Sequence, residues 1–172
     1  MPEDGSRLSN VAALADEARQ VQLAIPLERF ERVTPQLAVA QGMVDGSVAL
    51  AREEGRIVAD VAVTAQLQLR CQRCLEPMSW PVQSSSRVTL LESEAAAAGL
   101  PPELETALAP EGRMRLADLV EEELLLALPT VARHPDGECP APREEKQEDF
   151  AEPTQRPFAA LSEMLKSVRP KQ

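Results

Sequence analysis

The feature that most constrains this chain is a pair of alternating runs joined by a cysteine-bearing turn. Val61, Val63, Ala65, Leu67, Leu69 and Cys71 fall on every second residue, with Thr64, Gln66, Gln68 and Arg70 between them. A period of two marks a strand with one face buried. After Cys71-Gln-Arg-Cys74 and Leu75-Glu-Pro-Met78, a second run places Trp80, Val82, Val88 and Leu90 in one parity. Gln83, Ser85, Arg87 and Thr89 occupy the other. The two runs read as neighbouring antiparallel strands, and neither can bury its apolar face without further strands and a covering layer.

The sequence supplies both. Residues 21–27 alternate through Val21, Leu23, Ile25 and Leu27, and Pro26, which cannot donate to a ladder, marks an edge strand. Residues 39–51 alternate through Val44, Val48 and Leu50, then turn at Glu53-Glu-Gly55-Arg, where Gly55 accepts a positive φ. Residues 9–19 read as a short helix that Ser9 or Asn10 can cap, residues 30–36 as a turn or short helix, and residues 95–110 as an exposed loop with an Ala-rich helical turn. Residues 116–128 give the strongest helix signal, with Leu116, Leu119, Val120, Leu124 and Ala127 on one stripe and Pro129 as the stop. The expected fold is therefore α+β: an antiparallel meander of about four to six strands, open or closing toward a barrel, covered by one main helix. Its core is aliphatic, because aromatics make up 2% of the chain and Tyr is absent.

At 172 residues the chain has room for one domain with a real core. We divide it into an N-terminal tail with a short helix (1–20), an α+β domain (21–132) and a flexible acidic tail (133–172). The last is rich in Pro, Glu, Asp and Gln and cannot offset its ordering entropy unless something pins it. Within it, Phe158, Leu161, Leu165 and Val168 predict a short amphipathic helix over 158–168. The beginning of the chain lacks a signal-peptide pattern and no window approaches ~20 apolar residues, so a cytoplasmic protein without a membrane span is expected.

Cys71 and Cys74 have the spacing by which one turn presents two sulfurs to one metal ion. One such pair is half a site. The chain contains three cysteines and one histidine, so the remaining soft donors are His134 and Cys139, just beyond the helix stop. A Cys3His zinc site follows if the loop after the helix folds back to the turn. The competing reading is a plain hairpin end with His134 and Cys139 as bystanders. A thioredoxin-like redox pair fits less well, since that chemistry places the first cysteine at a helix N-terminus.

No Gly-rich phosphate loop, no G-x-S-x-G and no nucleophile placed beside the lone histidine support catalysis, and the chain reads as a binding protein rather than an enzyme. Its formal net charge of −10 opposes coating nucleic acid by bulk electrostatics. An RNA contact must be local, and Arg70, Arg73 and Arg87 are the candidate basic patch. On the helix, at about 100° per residue, Glu123 projects into the apolar stripe while Leu125 points to the polar side. A buried carboxylate calls for a partner, which makes Glu123 a candidate structural clamp, with Arg70 or Arg73 as the expected partner.

Three stretches carry a resemblance: Leu69-Arg-Cys-Gln-Arg-Cys-Leu, then Leu119-Val-Glu-Glu-Glu-Leu-Leu-Leu-Ala-Leu-Pro129, then Pro157-Phe-Ala-Ala-Leu followed by Leu165-Lys166. In order, spacing and overall length the chain resembles the YceD family, the large ribosomal RNA subunit accumulation proteins of bacteria and plastids. The resemblance implies a non-catalytic role in synthesis, processing or stability of 23S rRNA. It also implies 23S rRNA or its precursor, a large-subunit ribosomal protein or an assembly factor as partner, and no small-molecule substrate. The alternatives are an adaptor whose acidic tail and Leu125 engage a protein, with indirect effects on RNA, and a zinc-stabilised structural domain of another pathway.

Overall fold

The computed structural model describes residues 5–140. In chain order its elements are β1 (Leu8–Asn10), α1 (Val11–Asp16), β2 (Gln20–Pro26), β3 (Leu37–Val39), β4 (Met43–Glu53), β5 (Arg56–Arg70), β6 (Pro77–Leu91), β7 (Glu105–Leu108), β8 (Arg113–Arg115) and α2 (Leu116–Leu126). β5 and β6 pair antiparallel in unbroken register from Ile57 opposite Leu90 to Arg70 opposite Pro77. On β5 the alternation resolves as its sequence demands: Val61, Val63, Ala65, Leu67 and Leu69 are buried, and Thr64 and Gln66 face out.

β4 lies on the other side of β5, joined to it by a two-residue turn at Glu54 and Gly55, both with positive φ. That geometry matches the right-handed twist of the flanking strands. β3 and β4 both run antiparallel to β5, β3 covering its end at Gln68 and Leu69, so together they act as one interrupted strand. β2 pairs with β4 and takes the edge of the sheet, where Pro26 costs no ladder bond. The strand order is β2-β4-β5-β6-β7. The sheet of the described residues is open, not a closed barrel, with one main helix across its apolar face.

Two features depart from the sequence reading. Residues 95–110, expected as a loop, contain β7, and it pairs parallel to β6, so the sheet is mixed rather than a pure antiparallel meander. β1 and β8 also form a separate two-stranded antiparallel pair, bringing the start of the described chain against the entry to α2. The helix expected over 9–19 spans Val11–Asp16, capped by the Asn10 side chain, which accepts from the Ala13 N–H at 3.0 Å. Its Val11 and Ala15 lie in the core, so residues assigned to an N-terminal tail help build the body.

α2 packs its Leu116, Leu119, Val120 and Leu124 against the sheet, and all four are buried. Its Val120 meets β4 at Gly46, where an added Cβ would stand 2.9 Å from a Val120 methyl. Leu125, expected on the polar side, is half-buried against the core. Leu126 is the exposed residue, at 67%. The helix expected over 158–168 and the tail from 141 onward lie outside the described residues.

Candidate metal centre

The turn between β5 and β6 is built to point sulfurs inward. The Cys71 N–H donates to the Glu76 carbonyl at 3.0 Å, the Leu75 N–H to the Cys71 carbonyl at 2.9 Å, and Leu75 takes a positive φ of 64°. Cys71, one residue past the end of β5 and in its inward parity, is buried and Cys74 is half-buried. Pro129 and the residues after it end the helical path, and the chain returns to the turn, where the Gln72 N–H donates to the Ala132 carbonyl at 2.8 Å. Residues 133–140, assigned to a flexible tail, are thus held against the hairpin end.

This return brings the four soft donors together. The ligand atoms of Cys71, Cys74, His134 and Cys139 all lie within 4.8 Å of one another. The Cys71 and Cys139 sulfurs are 3.8 Å apart, and His134 Nδ1 stands 3.4 Å from the Cys74 sulfur and 3.8 Å from that of Cys139. Four donors at this separation, three of them sulfur, can close around a single metal ion.

The electrostatics favour a thiolate at Cys71. Burial alone would push its thiol up, but N–H groups of Cys74, His134 and Arg73 aimed at the sulfur overcome this and bring it down to about 5. Two of those donors, the backbone N–H groups of Arg73 and His134, each stand 3.4 Å from it. Cys74 is shifted the other way, first by burial and then by its neighbouring thiols. One sulfur therefore carries charge readily, and Cys74 gains it most easily when a cation is present.

Arg73 holds the returning loop. Its Nε donates to the Cys139 sulfur at 2.9 Å, Nη1 to Asp136 at 3.1 Å, and Nη2 to the carbonyls of His134 and Pro135 at 3.3 and 3.2 Å. The Cys139 sulfur and the Asp136 carboxylate raise the guanidinium's pKa in turn. The fork geometry of arginine suits such a set of divergent acceptors.

The three arginines expected to form one basic patch do not share a surface. Arg70 lies opposite Pro77 and Arg87 opposite Asp60, which at ~3.3 Å per residue separates Arg87 from the cysteine end by about 33 Å. Arg87 is also ion-paired with Glu53 and, at 3.4 Å, with Asp60. At the cysteine end, Arg70, Arg73 and the exposed Arg133 are matched by Glu76, Asp136 and Glu138, so the charge there is balanced rather than basic.

Glu123 is buried, 4% exposed, but neither arginine reaches it. Its partner is Ser84, on the inward face of β6, whose hydroxyl donates to Glu123 Oε1. The expected partner was wrong because α2 crosses the middle of β6 rather than the cysteine turn. Besides Arg115, which pairs with Asp118 at 2.9 Å, an arginine that meets α2 is Arg32, which no sequence pattern flagged. Its backbone N–H donates to Glu121 at 2.7 Å and its guanidinium pairs with Glu122 at 2.8 Å, so Glu121 is nearly buried despite lying off the apolar stripe.

No described helix is long and apolar enough to cross a membrane, and no solved structure matches this chain. A family described as large ribosomal RNA subunit accumulation protein YceD matches residues 59–165. That span runs from β5 through both halves of the ligand cluster and covers more than half of the chain. By this match, the chain belongs to the YceD family.

Proposed function

We propose that this protein is a non-catalytic, cytoplasmic factor in the accumulation of 23S rRNA, acting by binding through a domain that one zinc ion stabilises. The observation that carries the reading is the convergence of Cys71, Cys74, His134 and Cys139, from two separate stretches of the matched segment, onto one hairpin end. Three thiols and an imidazole suit zinc. Two sulfurs each ~2.3 Å from a tetrahedral zinc stand ~3.8 Å apart, which is the spacing of Cys71 and Cys139. When bound, zinc supplies a structural cross-link that fixes the returning loop on the hairpin. Arg73 and the N–H groups aimed at the sulfurs orient the ligands from outside.

Charge favours a protein partner over naked RNA. The chain carries −10, its cysteine end is balanced, and Arg87 is already paired. A large-subunit ribosomal protein or assembly factor fits such a surface better than a phosphate backbone does. The second reading, direct RNA contact at the cysteine end, rests on exposed Arg70, for which no ion pair is formed among the described residues.

The test is replacement of the gene in its own host by a chain carrying Cys74→Ser and His134→Ala. The ratio of 23S to 16S rRNA should fall to the level expected on depletion of the protein, and the unaltered chain should restore it and sediment with large-subunit particles. Full restoration by the variant would detach the metal centre from function. For the second reading, binding of a 23S rRNA fragment is measured across a salt series. Direct contact predicts a steep salt dependence that Arg70→Glu flattens and Arg87→Glu leaves alone.

A further inference from the structure

We infer that the groove between α2 and the open edge of β7 is a docking site for a basic, extended segment of a partner polypeptide, which adds as a strand to β7. The inference rests on the reading of this chain as a binder of a protein partner, and supplies the surface and the partner's chemistry. The groove measures about 590 Å³, and all four residues of β7, Glu105 to Leu108, line it. Successive strand residues face opposite sides of a sheet. A groove touched by four in a row therefore reaches the edge of the strand as well as the inward face that β7 shares with Ser86 and Val88 on β6.

β7 is the terminal strand of its sheet, paired only with β6 among the described residues. Its outward N–H and C=O groups form a template for one more strand. The opposite wall is one face of α2, contributed by Asp118, Leu119, Glu122, Glu123 and Leu126. Apolar contact surface is available at both walls, since Leu108 is 44% and Leu126 67% exposed.

Charge selects the occupant. Glu105, Asp118, Glu122 and Glu123 line the groove against one cation, Arg32. Arg32 pairs with Glu121 and Glu122 and Arg115 with Asp118, so carboxylates still outnumber cations at the groove, and Glu105 makes no ion pair among the described residues. A phosphate backbone is repelled here, whereas an extended segment alternating cationic and apolar residues meets both needs. Its backbone pairs with β7, alternate apolar side chains reach Leu108 and Leu126, and lysines or arginines answer Glu105 and the exposed Glu122, which shares its one cation, Arg32, with Glu121. The groove borders Ser86 and Val88 on β6, far along that strand from the metal centre, so the two surfaces can be altered separately.

The test uses the full zinc-loaded chain and a fluorescent synthetic peptide alternating lysine and valine, with anisotropy read at about 0.15 M salt. We expect saturable binding, and slowed hydrogen exchange at the β7 amides in the bound state. Glu105→Lys with Glu122→Lys should weaken binding about tenfold or more, while the charge-matched pair Glu17→Lys with Asp45→Lys, at exposed positions that do not line the groove, should leave it near the parent value. Equal loss in both variants reduces the effect to net charge and overturns the proposal, as does unchanged exchange at β7. Displacement of the peptide by a 23S rRNA fragment gives the groove to RNA. Displacement by a free peptide of residues 157–169 gives it to the chain's own segment, and concentration-dependent dimerisation abolished by the Glu105 and Glu122 changes gives it to a second copy. Each of these three overturns it. A groove variant that still sediments with large-subunit particles would sink this inference and leave the ribosomal role standing.

Discussion

Ser84 donates its hydroxyl hydrogen to the carboxylate of Glu123, joining the inward face of β6 to the buried face of α2. Removing the serine strands a buried acceptor, whereas removing both partners leaves only a shape to fill. Ser84→Ala should therefore cost about 1–3 kcal/mol of unfolding free energy. Ser84→Ala combined with Glu123→Leu should cost less than the two changes summed. Glu122→Gln, at an exposed position, should stay within about 0.5 kcal/mol. Chemical denaturation of the four variants reads the cycle, and additive losses would dissolve the proposed clamp.

The metal centre makes a stoichiometric claim. Protein purified under reducing conditions without chelator should carry close to one zinc per chain by elemental analysis, and less than ~0.2 equivalents would refute the site. Chelation should lower the unfolding midpoint and release residues 132–139 to proteolysis, with the β5–β6 pairing retained. Arg73→Ala should keep the metal but weaken it about 10–100-fold, as expected for loss of an outer-shell partner.

The acidity of Cys71 predicts how the metal-free chain responds to pH. Its folded thiol releases a proton near 5, against an ordinary value of 9.0. Between those values the unfolded chain binds a proton that the folded chain does not. Stability should rise with pH across that window and be lost as pH falls through about 5. Cys74, raised first by burial, acts in the opposite sense only at higher pH. Urea midpoints from pH 5.5 to 8.5, values of about that spacing, should climb in the parent and flatten in Cys71→Ser. A flat parent profile would mean that the N–H groups do not hold a thiolate.

What the sequence made legible follows from how each feature is encoded. β5 and β6 are long, strictly alternating and adjacent in the chain, so pattern alone determines them. The four soft donors were identifiable because few exist. β7, β8 and β1 have three or four residues each, too few to show a period, and β7 is held by non-local pairing to β6. The separation of Arg70 from Arg87 was readable from hairpin register, since a turn at Cys71 sends residues on β6 steadily away from it. The burial of Glu121 was not, because it depends on Arg32, 89 residues away, and no local spacing encodes such a partner.

Gly46 leaves room for Val120 of α2 to approach β4 more closely than any side chain there would allow. It lies on the inward parity of β4, opposite Leu23 on β2, and a Cβ there would stand 2.9 Å from one Val120 methyl and 3.5 Å from the other. Valine in a helix is nearly confined to one χ1 rotamer, so neither methyl can swing away and the whole helix must shift. Gly46→Ala should therefore destabilise by about 1–3 kcal/mol through overpacking, against the gain that alanine for glycine gives in an unstrained strand. Val120→Ala alone should cost through its cavity. In the double variant the new methyl occupies part of the space that Val120 leaves, and the pair should recover at least half of the Gly46→Ala loss. Equal or greater loss in the double variant would mean that the close approach at Gly46 does not set the height of α2 above the sheet.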